Sequence, residues 1–213
     1  MSNVIVLGGH GKVALLATRI LTDRGHTVTS VIRDPDQGDE VRSHGGRPLV
    51  ADIQQQTLTG FAELLGGHDA VVWSAGAGGG SAERTWAIDR DAAILSMQGA
   101  VRAGVDRYVM VSWSGSVLDH GVPQDDDFFA YAQSKVIADA VLRDSDLRWT
   151  VVAPSTLTDD DATGAIGWDG SATEVPRGDV AHVVADAIED EGTVGRTIRF
   201  NTGSTPIAEF LRA

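Results

Sequence analysis

The chain contains no cysteine, which rules out a disulfide framework, a thiolate nucleophile and a cysteine-based metal centre. It has only 6 prolines, and its aromatic content is 6%. No apolar run approaches the roughly 18 residues that a membrane-spanning helix needs. The first residues lack a basic segment followed by a long apolar stretch and a cleavage site, so a secretory leader is not expected. Basic residues are scarce as well. Lys and Arg number 17 against 30 Asp and Glu, for a net charge of -13. So acidic a chain is a poor candidate for broad contact with nucleic acid, where cationic side chains must release counterions. The six histidines show no pair at metal-ligand spacing with a supporting carboxylate, so no metal site is expected. These absences fit a cytoplasmic protein with no membrane partner, and they leave the oligomeric state open.

What is present is a core-forming chain of 213 residues, 42% apolar, with a mean hydropathy of -0.05. Short apolar runs alternate with helical patterns. Val4 to Leu7, Thr27 to Ile32, Arg47 to Val50, Ala70 to Trp73, Asp106 to Ser112 and Arg148 to Ala153 read as strands. Val13 to Leu21, Ala82 to Ala103 and Phe128 to Arg143 read as helices, the first stopped at Arg24-Gly25 and the second at Gly104. Continuous apolar strands separated by helices call for a parallel sheet covered on both faces. Right-handed crossovers then make it doubly wound, an α/β fold of the Rossmann type. After Pro154 the rhythm changes. Thr156 to Gly170 reads as a loop, Asp179 to Glu189 as a helix, Thr197 to Asn201 as a strand and Ile207 to Leu211 as a helical turn. About sixty residues cannot readily hold a core of their own. Residues 1–213 are therefore expected to form one domain, with 1–154 binding a cofactor and 155–213 extending the substrate side.

The first strand runs straight into VIVLGGHGKVA. Gly8, Gly9 and Gly11 permit a tight turn and let main chain approach a pyrophosphate, with His10, Lys12 and Val13 in the same loop. Ala14 is small enough for close helix–strand packing. Free N–H groups and the helix dipole favour a diphosphate there. The strand–glycine–helix context points to a dinucleotide. The second strand ends VIRD. Arg33 can pair with a 2′-phosphate through its planar fork, which favours NADP(H). Asp34 is the competing feature, as a cap or as the ribose acceptor of NAD(H). Asp52 and Ile53 are placed to meet the adenine, and Asp52 also suits an N-cap. Ser74, Ala75 and Gly76, in a glycine-rich stretch reaching Gly80, would lie along the cofactor.

Tyr131 and Lys135 stand four apart in YAQSK, on one face of a helix. A neighbouring ammonium lowers a phenol's pKa, so the pair can exchange a proton with a carbonyl or carbinol. The lysine can also reach the nicotinamide ribose. Ser112, at the carboxyl end of the fifth strand, is preferred over Ser114 to hold the reacting oxygen. Asp125 to Asp127 read as a solvated helix start, and Trp168 as a pocket wall or a loop anchor.

These residues resemble the short-chain dehydrogenase/reductase superfamily, in particular its small atypical NAD(P)H-binding, NmrA-like and biliverdin reductase B-like members. GGHGKVA, VIRDPDQ, AGVDRYVMVS, YAQSK, WTVVAPSTLTDD and GDVAHVVADAIED follow the group's order over nearly the whole chain. The resemblance implies a phosphate loop at Gly8 to Val13, Arg33 on a 2′-phosphate, and Ser112, Tyr131 and Lys135 as the reactive set. The departures are Ala14 for the loop's last glycine, Ala153-Pro154-Ser155 for Arg-Pro-Gly on the cofactor side, and Trp113 where a small residue is common. The implied function is an NADP(H)-dependent oxidoreductase acting on a small carbonyl, flavin-like or quinone-like molecule. The alternatives are a non-catalytic NADP(H) sensor and an NAD-dependent sugar-nucleotide epimerase or dehydratase.

Overall fold

The computed structural model describes residues 1–79, 81–169 and 173–213. Gly80 and Gly170, the last residues of the two expected loops, lie outside them. The first strands fall where the apolar runs are: β1 (Asn3–Leu7), β2 (Thr27–Ile32), β3 (Arg47–Val50) and β4 (Ala70–Trp73). They are joined by α1 (Lys12–Asp23), α2 (Gly38–Ser43) and α3 (Leu58–Leu65). Then come α4 (Ala82–Thr85), a π-helical segment (Trp86–Ala92), α5 (Ala93–Ala103), β5 (Arg107–Val111), α6 (Phe129–Arg143) and β6 (Arg148–Pro154). The remainder is β7 (Thr156–Thr158), β8 (Ala165–Gly167), β9 (Glu174–Pro176), α7 (Arg177–Glu189), β10 (Arg196–Thr202), β11 (Thr205–Pro206) and α8 (Ile207–Phe210).

Among the described residues, a nine-stranded sheet runs β11-β8-β10-β6-β5-β4-β1-β2-β3. From β3 through β10 every neighbouring pair is parallel, and the order reverses at β1. This is the expected Rossmann-like α/β sheet with helices on both faces. The alternation of strand side chains explains why the runs had to be apolar throughout. Val4 and Val6 pack with α1 and α7 on one face, whereas Ile5 and Leu7 pack with α3, α5 and α6 on the other. The segment after Pro154 enters the same core, because Val180, Val184, Phe200 and Ile207 cluster with Val4 and Val13. No helix among the described residues is long and apolar enough to cross a membrane.

Two expectations need correction. The stretch from Thr156 to Gly170 is not simply a loop: β7 pairs with β9, and β8 pairs antiparallel with β10 and β11. Those pairings are long-range and leave no local periodicity. The run from Ala82 to Ala103 is helical, but Trp86–Ala92 widens into a π segment. The widened turn carries Asp89, an acid with 0% exposure. Such turns often mark functional positions.

Candidate active site

The glycine-rich turn is held from both sides. Gly8 has φ +82°, and a Cβ there would lie 2.5 Å from Ala75 Cα, on the chain leaving β4. The Gly9 N–H donates to the Val31 carbonyl at 2.8 Å, and a Cβ on Gly9 would fall 2.5 Å from that of Ser30, on β2. The turn delivers Gly11 to the start of α1, where no side chain caps the helix and no acid stands in the first turn. The first intrahelical bond shown runs from Leu15 N–H to the Gly11 carbonyl. The N–H groups of Lys12, Val13 and Ala14 are thus the free donors of a helix start, suited to an anion.

This turn forms one end of a cleft of about 380 Å3. Gly8, His10, Gly11, Arg33, Asp52, Ile53, Ser74, Ala75 and Gly76 all line it, as does Arg84, which sequence reasoning missed. His10 Nε2 lies 2.6 Å from Glu40. Asp34 and Asp52 each cap a short 3-10 turn, accepting from the N–H of Asp36 and Gln54 at 3.0 Å. The side chains of other expected cofactor residues lie elsewhere. The Val13 side chain is buried in the core, and Lys12 Nζ donates to Asp159 at 2.6 Å. Pro154 lines a different cavity.

That second cavity, of about 570 Å3, opens where β5, β6 and β10 end. Ser112, Ser114, Trp113, Phe128, Tyr131, Leu157, Trp168 and Asn201 contribute to its wall. Trp113, Phe128 and Tyr131 form a row, with centroids 5.1 Å apart at each step. Trp168 is 50% exposed, and no charged side chain lines the cavity among the described residues.

Helix α6 supplies the titratable groups. Tyr131, Lys135 and Asp139 follow one another at four-residue intervals, so they share a helix face, and Lys135 and Asp139 are buried. Lys135 Nζ lies 5.7 Å from the Tyr131 ring centroid and donates to the Val111 carbonyl at 3.1 Å. It also forms an ion pair of 3.5 Å with Asp89 Oδ1. Burial tends to lower the Lys135 pKa, but Tyr131, Asp89 and Asp139 together carry it above the usual lysine value. Burial pushes the Tyr131 phenol up, Lys135 pulls it back, and Asp89 and Asp139 push it up again, with a net rise above the ordinary phenol value. Lys135 thus acts in the expected direction, but burial outweighs it, so the phenol keeps its proton at neutral pH. Ser112 and Ser116 both donate to Asp139 Oδ2 at 2.6 Å. Burial raises the Asp139 carboxyl despite those bonds.

The π segment joins the two cavities. Asp89 Oδ2 accepts from Ala77 N–H at 2.9 Å, in the chain that passes the cleft, while Oδ1 faces Lys135. Nothing local in WAIDRDA marks this acid. Asp139 did carry a signal, as the next four-residue step after Tyr131 and Lys135 on a helix face that packs inward.

A family model described as NAD(P)H-binding matches residues 8–191. The chain belongs to this NAD(P)H-binding family. Membership agrees with the dinucleotide expected from Gly8 to Ala14 and with the atypical short-chain dehydrogenase/reductase resemblance. A UPF0659 protein of Schizosaccharomyces pombe is 32% identical over 97% of this chain and 92% of its own length. Among solved structures, a Bacillus halodurans protein described as an NAD-dependent epimerase/dehydratase is 32% identical, covers 99% of each chain and superposes with a TM-score of 0.91. A Lactococcus lactis oxidoreductase is 25% identical over 98% of this chain and 94% of its own, with a TM-score of 0.85. Family and relatives thus point generally to a redox-type enzyme with a nicotinamide cofactor.

Proposed function

We propose that this protein is an NADP(H)-dependent oxidoreductase that reduces a small, uncharged carbonyl, flavin-like or quinone-like molecule. The observation that carries the proposal is Tyr131. It is the one wall residue of the aromatic cavity that also sits against a buried, charged lysine, at the carboxyl ends of β5 and β6.

The residues of the cleft fit a dinucleotide. The crowded Gly8 turn and the uncapped start of α1 suit the diphosphate, and Asp52 and Ile53 suit the adenosine. Arg33 is exposed, and among the described residues no acid pairs with it. It is therefore free to meet a 2′-phosphate, which supports NADP over NAD. When bound, the dinucleotide supplies or accepts a hydride. The chain's own work is at the oxygen. Tyr131 gives its phenolic proton to the substrate oxygen, and the Lys135 ammonium stabilises the phenolate that remains. Ser112 has its proton committed to Asp139, so its oxygen keeps lone pairs that accept from the hydroxyl of the reduced product. Asp89 and the Val111 carbonyl hold Lys135 in place.

The name of the Bacillus halodurans relative suggests an epimerase or dehydratase instead. The neutral lining of the larger cavity argues against this, since a sugar nucleotide brings a doubly charged diphosphate that calls for cationic or N–H partners.

Calorimetric titration with NADP(H) and NAD(H) tests the cofactor. The wild type should prefer NADP(H), and Arg33→Ala should weaken NADP(H) about tenfold or more while sparing NAD(H). Tyr131→Phe should slow NADPH oxidation roughly a hundred- to ten-thousand-fold with cofactor affinity unchanged. Equal turnover in that variant would take the proton-donor role from Tyr131, and no turnover by the wild type would leave only a cofactor-binding sensor.

A further inference from the structure

Arg84 is a half-buried cation without a partner in an acidic chain. Among the described residues no carboxylate pairs with it and no hydrogen bond engages its guanidinium, whereas Arg90, further along the same helical run, is clasped by Asp91 at 2.6 Å. Arg84 and Ile88 stand four apart on that run and both line the cleft, so they share the face turned towards it. Asp89, next to Ile88, accepts from Ala77 N–H at 2.9 Å, which fixes this face against the chain leaving β4. Among the described residues the lining holds a single carboxylate, Asp52, which already caps Gln54 N–H at 3.0 Å. Arg33 and Arg84 are left as two free guanidiniums on opposite sides of the cleft. In the sheet β1 lies between β2 and β4; Arg33 follows β2, Arg84 is reached by the chain leaving β4, and the Gly8 turn stands in the middle. A dinucleotide of the NADP type has two anionic centres, and its 2′-phosphate hangs from the adenosine ribose on the β2 side. We infer that Arg84 is the side-chain partner of the diphosphate, meeting it from the β4 side while the glycine turn and the start of α1 offer main-chain N–H groups. A guanidinium fork suits two phosphate oxygens at once, and its full charge attracts an anion from further away than amides do. The inference rests on the reading of this cleft as the dinucleotide site, and it divides the work. Arg33 discriminates between NADP(H) and NAD(H), whereas Arg84 serves both.

Arg84→Met keeps a long stem and a good helix former while removing the charge. Calorimetric titration of the full chain compares this variant with the wild type for NADP+, NAD+ and 2′-AMP, which has the adenine and the 2′-phosphate but no diphosphate. Arg84→Met should weaken NADP+ and NAD+ by the same factor, about tenfold or more, and leave 2′-AMP unchanged. Arg33→Ala should show the other pattern, losing NADP+ and 2′-AMP while sparing NAD+. Undiminished binding of both dinucleotides by Arg84→Met would overturn the inference and leave the cleft's assignment standing. A loss confined to NADP+ would overturn it too, since Arg84 would then serve the 2′-phosphate. So would a loss of 2′-AMP, because the substitution would then have altered the adenosine end of the cleft. If the wild type binds neither dinucleotide, the reading of the cleft falls and the inference falls with it.

Discussion

The two cavities of this protein are built in different ways. One end of the cleft at β1, β2 and β4 is made of main chain: a glycine turn squeezed between Ala75 and Ser30, and a helix start with no capping side chain. The cavity at β5, β6 and β10 is made of side chains, drawn from positions as far apart as Ser112 and Asn201. Main chain can bind a diphosphate with few demands on residue type beyond absent Cβ atoms, so one short motif suffices. Side chains that must fit a particular ring are spread over many segments, which leaves no motif. The difference teaches why a family can be read from a loop while its members' substrates cannot.

The sharpest way to break this comparison is at Gly8. A side chain there meets both a positive φ and the Ala75 main chain. Gly8→Val should abolish cofactor binding and cost about 3 kcal/mol of stability, seen in NADPH fluorescence titration and chemical denaturation. Retained binding would mean that the turn is not a main-chain cradle. Asp89→Ala should come next, because Asp89 links the chain beside the cleft to Lys135. Removing one partner of a buried ion pair costs about 3 kcal/mol. Denaturation should report that loss, and turnover should fall with it. Were stability unchanged, the two cavities would be independent.

The pH profile separates them more gently. The cleft's main-chain donors do not titrate. Tyr131 must hold its proton to donate it, and its pKa is raised above the ordinary phenol value near ~10. The rate of carbonyl reduction should therefore stay level from about pH 6 to about pH 9 and fall only at higher pH. A fall centred near neutrality would assign the proton to another group. The smallest effect is expected at Trp168, which is half exposed at the cavity wall. Trp168→Ala should raise KM for an aromatic substrate by a few-fold, roughly, and leave NADPH affinity alone.

Much of the fold was legible because parallel strands buried on both faces must be apolar throughout. Thr27–Ile32, Arg47–Val50 and Ala70–Trp73 fall where the apolar runs place them. The short helix α2 was missed, and α3 was expected only through an N-cap at Asp52, a few residues early, since six and eight residues give little periodicity. In the candidate site, the glycine turn, Arg33, Asp52, Tyr131 and Ser112 were accessible as residue types in a strand-and-helix context. Asp89, Arg84 and Asn201 were not, because each acquires its meaning from a neighbour far away in the chain.

The sequence by itself thus determined the α/β class, the dinucleotide turn and the Tyr131–Lys135 face, all of which depend on interactions within a few residues. Tertiary structure alone decided that a π turn carries an acid to Lys135, that Asp139 takes the proton of Ser112, and that the Asn201 amide oxygen is buried without a partner. The reason is electrostatic. A buried polar group's role depends on which charges and donors surround it, and only the packed chain brings those together.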